Sequence, residues 1–154
     1  MKLSEMLNED LIETDLKAED KEGVLKEMVE ILFKAGKIKD KDKILDDIKK
    51  REELMSTGIG HGVAIPHAKS EGVDTLVAAF GRSKKGIDFE SLDGELVYLF
   101  FILVSPENVT GPHIKALAKI SRLLKHHYVR DKLKSTDTPE QTLALIRQEE
   151  DKHL

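Results

Sequence analysis

At 154 residues and 40% hydrophobic content, the chain is long enough to bury a proper core, and a single domain spanning 1–154 is expected. A net charge of −4 and a pI near 5.9, with basic residues interspersed among acids, exclude nucleic-acid binding driven by bulk charge. The lack of cysteine excludes disulfides and thiol chemistry, and the longest apolar run, Leu96 to Val104, falls far short of the roughly 20 residues that span a bilayer. The start, Met1-Lys2-Leu3-Ser4-Glu5, lacks the apolar core of a signal peptide, so a cytoplasmic protein is expected. A 35% share of charged residues with few Asn and Gln hints at a thermophilic source.

In chain order, Met1 to Leu16 is broken at Asn8-Glu9-Asp10 and reads as a short helix and a strand. Val24, Leu25, Met28, Val29 and Leu32 recur at helical spacing, with Asp20 as cap and Ala35-Gly36 as stop. A second helix is predicted from after Asp40 to about Leu54, with Ile44, Ile48 and Met55 on one stripe. Arg51 falls on that stripe, which turns a guanidinium inward. A structural ion pair, a stem that packs while its head reaches water, and a phosphate clamp all fit; the position just before a glycine-rich loop favours the clamp.

That loop, Ser56-Thr57-Gly58-Ile59-Gly60-His61-Gly62, opens the backbone to unusual φ values and close approach by a ligand. Val63-Ala64-Ile65 reads as a strand that ends on Pro66-His67, because proline has no donor for the ladder. His67 is thereby expected at the strand's exit, available for chemistry. Leu76 to Phe80 is a further strand, Lys84 to Glu95 a turn-rich polar stretch, and Val97 to Val104, apolar on both faces, a central strand covered by helices on each side. Ile114, Leu117, Ala118, Ile120, Ser121 and Leu124 mark a helix with Pro112 in its first turn and Thr110 or Gly111 near its cap. His113 then sits at a helix N-terminus after a central strand, where free N–H groups and the positive end of the dipole favour a phosphoryl group. A weak helical piece near Tyr128 to Leu133 and a last helix begun by Thr138-Pro139-Glu140-Gln141 close the chain. There is no internal repeat, and the order of elements predicts a three-layer α/β/α domain with a mixed central sheet flanked by helices.

A lone loop histidine is usually a solvated side chain, and His126, His127 and His153 are read that way. His67 and His113 stand out by position. A metal held by His61, His67 and His113 is the chemical rival, but the spacings match no common zinc pattern.

Arg51-Glu52-Glu53, Ser56-Thr57-Gly58-Ile59-Gly60, Gly62-Val63-Ala64-Ile65-Pro66-His67, Gly86-Ile87-Asp88-Phe89, Asp93-Gly94, the apolar strand to Pro106 and His113 through Leu124 closely resemble the EIIA domain of the fructose/mannitol type of the bacterial phosphotransferase system. The resemblance covers nearly the whole chain, and the departures are small: Ala68 stands where glycine is common, and His61 occupies a variable position. It implies a phosphotransferase component in which His67 takes a phosphoryl group from the phosphohistidine of HPr and passes it to an EIIB, which serves a membrane EIIC in sugar uptake. The same motifs occur in the nitrogen-related EIIA branch, where the phosphorylation state controls partner proteins. On this resemblance Arg51 supplies fixed charge, His113 a donor, and the Ser56-Thr57-Gly58 region hydroxyls or amides; no metal or other cofactor is needed, and the sugar itself is never bound.

Overall fold

The computed structural model describes residues 2–153. The sheet is built around β6 (Val97–Ser105), in which every residue but Tyr98 is buried. On one side β6 pairs antiparallel with β5 (Val77–Ile87), and β5 pairs parallel with the short β1 (Ile12–Glu13). On the other side β6 pairs parallel with β3 (Val63–Ala64) and β4 (His67–Lys69), and β3 pairs antiparallel with β2 (Gly58–Gly60). The sheet is therefore mixed. One layer of helices is α2 (Lys21–Lys34) and α3 (Lys41–Leu54), which pack on each other and on β5 and β4. The other gathers α1 (Leu3–Met6), α4 (Gly111–Leu124), α5 (His127–Ser135) and α6 (Pro139–His153). Helices on both faces explain why β6 shows no alternation of apolar and polar residues.

The helix boundaries follow from local chemistry. The side chain of Asp20 accepts the Gly23 amide at 2.7 Å and that of Asp40 accepts the Lys43 amide at 3.1 Å, each satisfying a free donor of the first turn. Beyond α2 the chain turns at Gly36, whose φ of 74° suits a residue without Cβ. Thr138 Oγ1 accepts the Gln141 amide and so opens α6. Other ends are tied down from afar. Glu150, buried on α6, accepts the amides of Leu3 and Ser4 at 2.7 and 3.0 Å and the Ser4 hydroxyl, so a carboxylate from the last helix caps the first. Arg82, buried in β5, donates to the carbonyls of Thr14, Leu133, Lys134 and Thr136, which lie at β1 and at the C-terminal end of α5. A cation there meets the negative end of the α5 dipole.

Several local expectations are corrected. His67 does not leave the sheet: it opens β4, opposite Leu103 of β6. The register is the same before and after the break, Ala64 facing Phe100 and His67 facing Leu103. Thus β3 and β4 are two halves of one strand, interrupted at Ile65-Pro66 because proline cannot donate to the ladder. β5 runs on through Arg82-Ser83-Lys84-Lys85-Gly86 to Ile87, into the stretch read as turns. Its outer half is polar because it extends beyond β1, which pairs only with Phe80 and Gly81. Met55 lies past the end of α3 and is 59% exposed, so it is not part of the buried stripe. The buried face of α4 is His113, Ala116, Ile120, Leu123 and Leu124, which leaves Ile114 exposed. His126 and His153 are half-buried rather than solvated, their rings stacked at 3.9 Å between centroids, whereas His127 is exposed.

Candidate active site

The break in the split strand creates the first half of the site. Because the ladder is interrupted, the Ile65 amide turns to the Thr57 carbonyl (3.0 Å), and the Ile65 carbonyl receives the His67 ring at 2.7 Å from Nδ1. A carbonyl can only accept, so the imidazole proton resides on Nδ1 and Nε2 presents its lone pair. Burial lowers the pKa of His67; its bond to Ile65 and the Glu52 charge act the other way, and the Arg51 charge adds to the lowering. The half-buried ring is neutral at pH 7.

His113, buried in the first turn of α4, lies with its ring centroid 5.6 Å from that of His67. Its Nδ1 is 2.5 Å from the hydroxyl of Ser105, the last residue of β6. Ser105 is fully buried and its hydroxyl has no other partner among the described residues, so donation to Nδ1 is the arrangement that leaves no buried proton unpaired. The His113 proton then sits on Nε2. Burial, followed by the neighbouring His67 and Lys69, pushes the His113 pKa down to about 4. The two rings are thus neutral and opposite in tautomer, one exposing a lone pair and the other an N–H.

Arg51 comes from the last turn of α3, the helix that packs on β4, and its Nη1 donates to the Met55 carbonyl at 3.1 Å. Among the described residues no carboxylate lies within ion-pair distance of it. The structural ion pair weighed from the sequence therefore has no partner here. The guanidinium acts on His67 through its charge.

Ser56, Thr57 and Gly58 hold a different place from the one expected. The Ser56 hydroxyl donates to the Phe89 carbonyl and accepts the Gly58 amide, each at 3.1 Å. The Thr57 amide and hydroxyl both go to Glu52, at 2.9 and 2.6 Å. These groups are committed to the loop itself, and their link to the site is indirect: Glu52 fixes Thr57, the Thr57 carbonyl fixes Ile65, and Ile65 fixes His67. Glu52 is a buried carboxylate held also by Lys21 at 3.0 Å, and sequence reasoning missed it, as it missed Ser105 and the Ile65 carbonyl. A faint signal existed for Glu52, which lies one residue from Arg51 on a helix whose apolar stripe it shares.

Gly58 has a steric reason to be glycine. A Cβ there would overlap Ser91 Oγ and approach Ser91 Cα to 3.0 Å, backbone that cannot yield cheaply. Gly58→Ala is expected to cost roughly 1–3 kcal/mol in denaturant unfolding; unchanged stability would mean that the turn carrying Ser91 moves freely. His61, at φ 58°, forms the turn between β2 and β3 and donates its amide to Asp93 at 3.0 Å. No group of three or more His, Asp or Glu side chains that could hold a metal exists among the described residues, so His61 does not complete a triad with His67 and His113. Nor is any described helix long and apolar enough to cross a membrane.

A pair of neutral histidines beside a guanidinium with no carboxylate partner among the described residues suits the reception of a phosphoryl group. The family model for the phosphoenolpyruvate-dependent sugar phosphotransferase system, EIIA 2, matches residues 5–149. The chain belongs to that EIIA family. Among curated relatives, the fructose-specific EIIABC component of Bacillus subtilis (strain 168) is 40% identical over 148 residues, which cover 96% of this chain and 23% of that protein. This EIIA chain thus spans about a quarter of that relative's length. The fructose-specific EIIA component of Haloferax volcanii is 36% identical over 129 residues, 82% of this chain and 84% of that one. Among solved structures, the nitrogen regulatory protein IIA-Ntr of Neisseria meningitidis superimposes with a TM-score of 0.87 at 31% identity, covering 94% of this chain and 98% of that one. The mixed sheet between two helical layers is the fold this chain shares with that structure.

Proposed function

We propose that the protein is a phosphoryl carrier of the sugar phosphotransferase system, accepting a phosphoryl group from phospho-HPr on Nε2 of His67 and passing it to an EIIB component that works with a membrane EIIC. The observation that carries this reading is the pairing of the two rings, 5.6 Å between centroids, each held at Nδ1 so that its Nε2 is left without a partner among the described residues. The lone pair of His67 Nε2 attacks phosphorus as the N–P bond to the donor's imidazole breaks, and that electron pair returns to the donor nitrogen. The Nδ1 proton of His67 stays in place, so the phosphorylated ring becomes cationic and the Ile65 carbonyl stabilises it. A cationic ring is a good leaving group, which suits onward transfer rather than storage. Phosphoryl transfer spreads charge over the equatorial oxygens, and the N–H of His113 with the Arg51 guanidinium is suited to offset it.

The fructose-specific names of the relatives from Bacillus subtilis and Haloferax volcanii support sugar uptake of the fructose/mannitol type as the role. The likeness to IIA-Ntr supports a second reading, in which the phosphorylation state of His67 governs binding to a regulatory partner. Purified components separate the two. Rapid transfer from the phosphorylated protein to an EIIB is expected for uptake; labelling from phospho-HPr with no transfer to any EIIB tested would favour regulation.

A further inference from the structure

Lys69 is absent from the machinery described so far, yet its placement is unusual. It follows His67 by two residues on β4, so the two side chains leave the same face of the sheet while Ala68 is buried on the other. Its Cα lies opposite Ser105, the residue that holds His113. Its Nζ reaches the loop before α4 and donates to Thr110 Oγ1 at 2.8 Å. That is a neutral partner, and among the described residues no carboxylate lies within ion-pair distance of Lys69. The N-terminal turn of α4 contains no acidic residue, and the Thr110 hydroxyl caps none of its amides. An ammonium is therefore held at the positive end of a helix, beside the buried His113 ring whose Nε2 has no partner among the described residues. A helix N-terminus disfavours a cation and favours an anion, so an anion bound there is attracted by both the helix end and the ammonium.

We propose that Lys69 is a phosphoryl ligand, its Nζ exchanging Thr110 Oγ1 for an oxygen of the phosphoryl group on His67. The inference rests on the phosphoryl-carrier reading and adds a third positive or donor group, on β4, to Arg51 of α3 and His113 of α4. No covalent step is added: one N–H···O hydrogen bond replaces another. The Thr110 hydroxyl serves as a resting place for the ammonium in the unphosphorylated protein, keeping it extended over the site.

The test is phosphorus NMR on protein phosphorylated with phosphoramidate, following the second ionisation of the phosphoryl group with pH. A cation in contact favours the dianion, so Lys69→Met is expected to raise that ionisation by about one pH unit, with Lys69→Arg restoring most of the shift. Transfer from phospho-HPr is expected to slow roughly tenfold in Lys69→Met. Thr110→Val removes the resting place but not the charge, and its phosphoryl ionisation is expected to match the wild type. If Thr110→Val instead reproduces Lys69→Met, the lysine acts by holding the loop and the proposal is overturned. A Lys69→Met protein phosphorylated on His67 with an unshifted ionisation also overturns it, and leaves the carrier reading intact. Failure of the wild type to take a phosphoryl group on His67 overturns both.

Discussion

His67→Ala is expected to abolish labelling by phospho-HPr, a loss of at least about a thousandfold, because no other nitrogen in the site offers a lone pair toward the donor. His113 is a poor substitute: its Nδ1 is occupied by the buried Ser105 hydroxyl, an arrangement that assigns its proton to Nε2. The variant should fold, since His67 is only half-buried and its ring makes one hydrogen bond, to Ile65. Far-ultraviolet circular dichroism alongside radiolabel transfer separates loss of the acceptor from loss of the fold. Labelling of the folded variant at the wild-type rate would remove His67 from the reaction altogether.

His113→Ala is expected to leave the acceptor in place and slow transfer about a hundredfold, the usual effect of deleting one donor aimed at developing charge. The same substitution has a signature in stability against pH. In the folded protein the His113 pKa is about 4, whereas an unfolded histidine titrates near 6.5. Between those values the unfolded chain binds the proton and the folded one does not, so stability is full above the upper value and is lost as pH falls toward the lower. His113→Ala removes this group from the balance and should flatten that part of the acid limb in urea unfolding at stepped pH. It should also cost about 1–2 kcal/mol near neutrality, because the buried Ser105 hydroxyl loses its partner. An unchanged acid limb would mean that His113 titrates alike in the folded and unfolded protein, so that its burial does not disfavour the charged ring.

Much of the fold could be read locally. Asp20 and Asp40 announce α2 and α3 by side-chain bonds that span three residues, and β6 announces itself by an unbroken apolar run. Single side chains with a chemical reason to be where they are, such as Arg51 before a glycine-rich loop and His113 behind a proline, also stood out. What was hidden depends on partners distant in sequence. Nothing near Ser105 says that its hydroxyl meets a ring on the following helix, and nothing near Glu52 says that it is buried against Thr57 and Lys21. The resumption of the strand after Pro66 depends on β6 having free ladder positions, a property of the sheet and not of the residues around the proline. The polar half of β5 was hidden for a similar reason: Lys84 and Lys85 carry no strand pattern, and β6 supplies the pairing on either side of the irregular stretch.

The interrupted ladder at Ile65-Pro66 has one more consequence. Imidazole offers two nitrogens, and phosphorylation at each gives a distinct regioisomer with its own hydrolytic lifetime. With Nδ1 bonded to a main-chain oxygen that no side-chain substitution removes, Nε2 is the nitrogen left free, and on the proposed reading one isomer is favoured. Selectivity between two chemically similar atoms thus originates in an amino acid that cannot donate a backbone hydrogen bond.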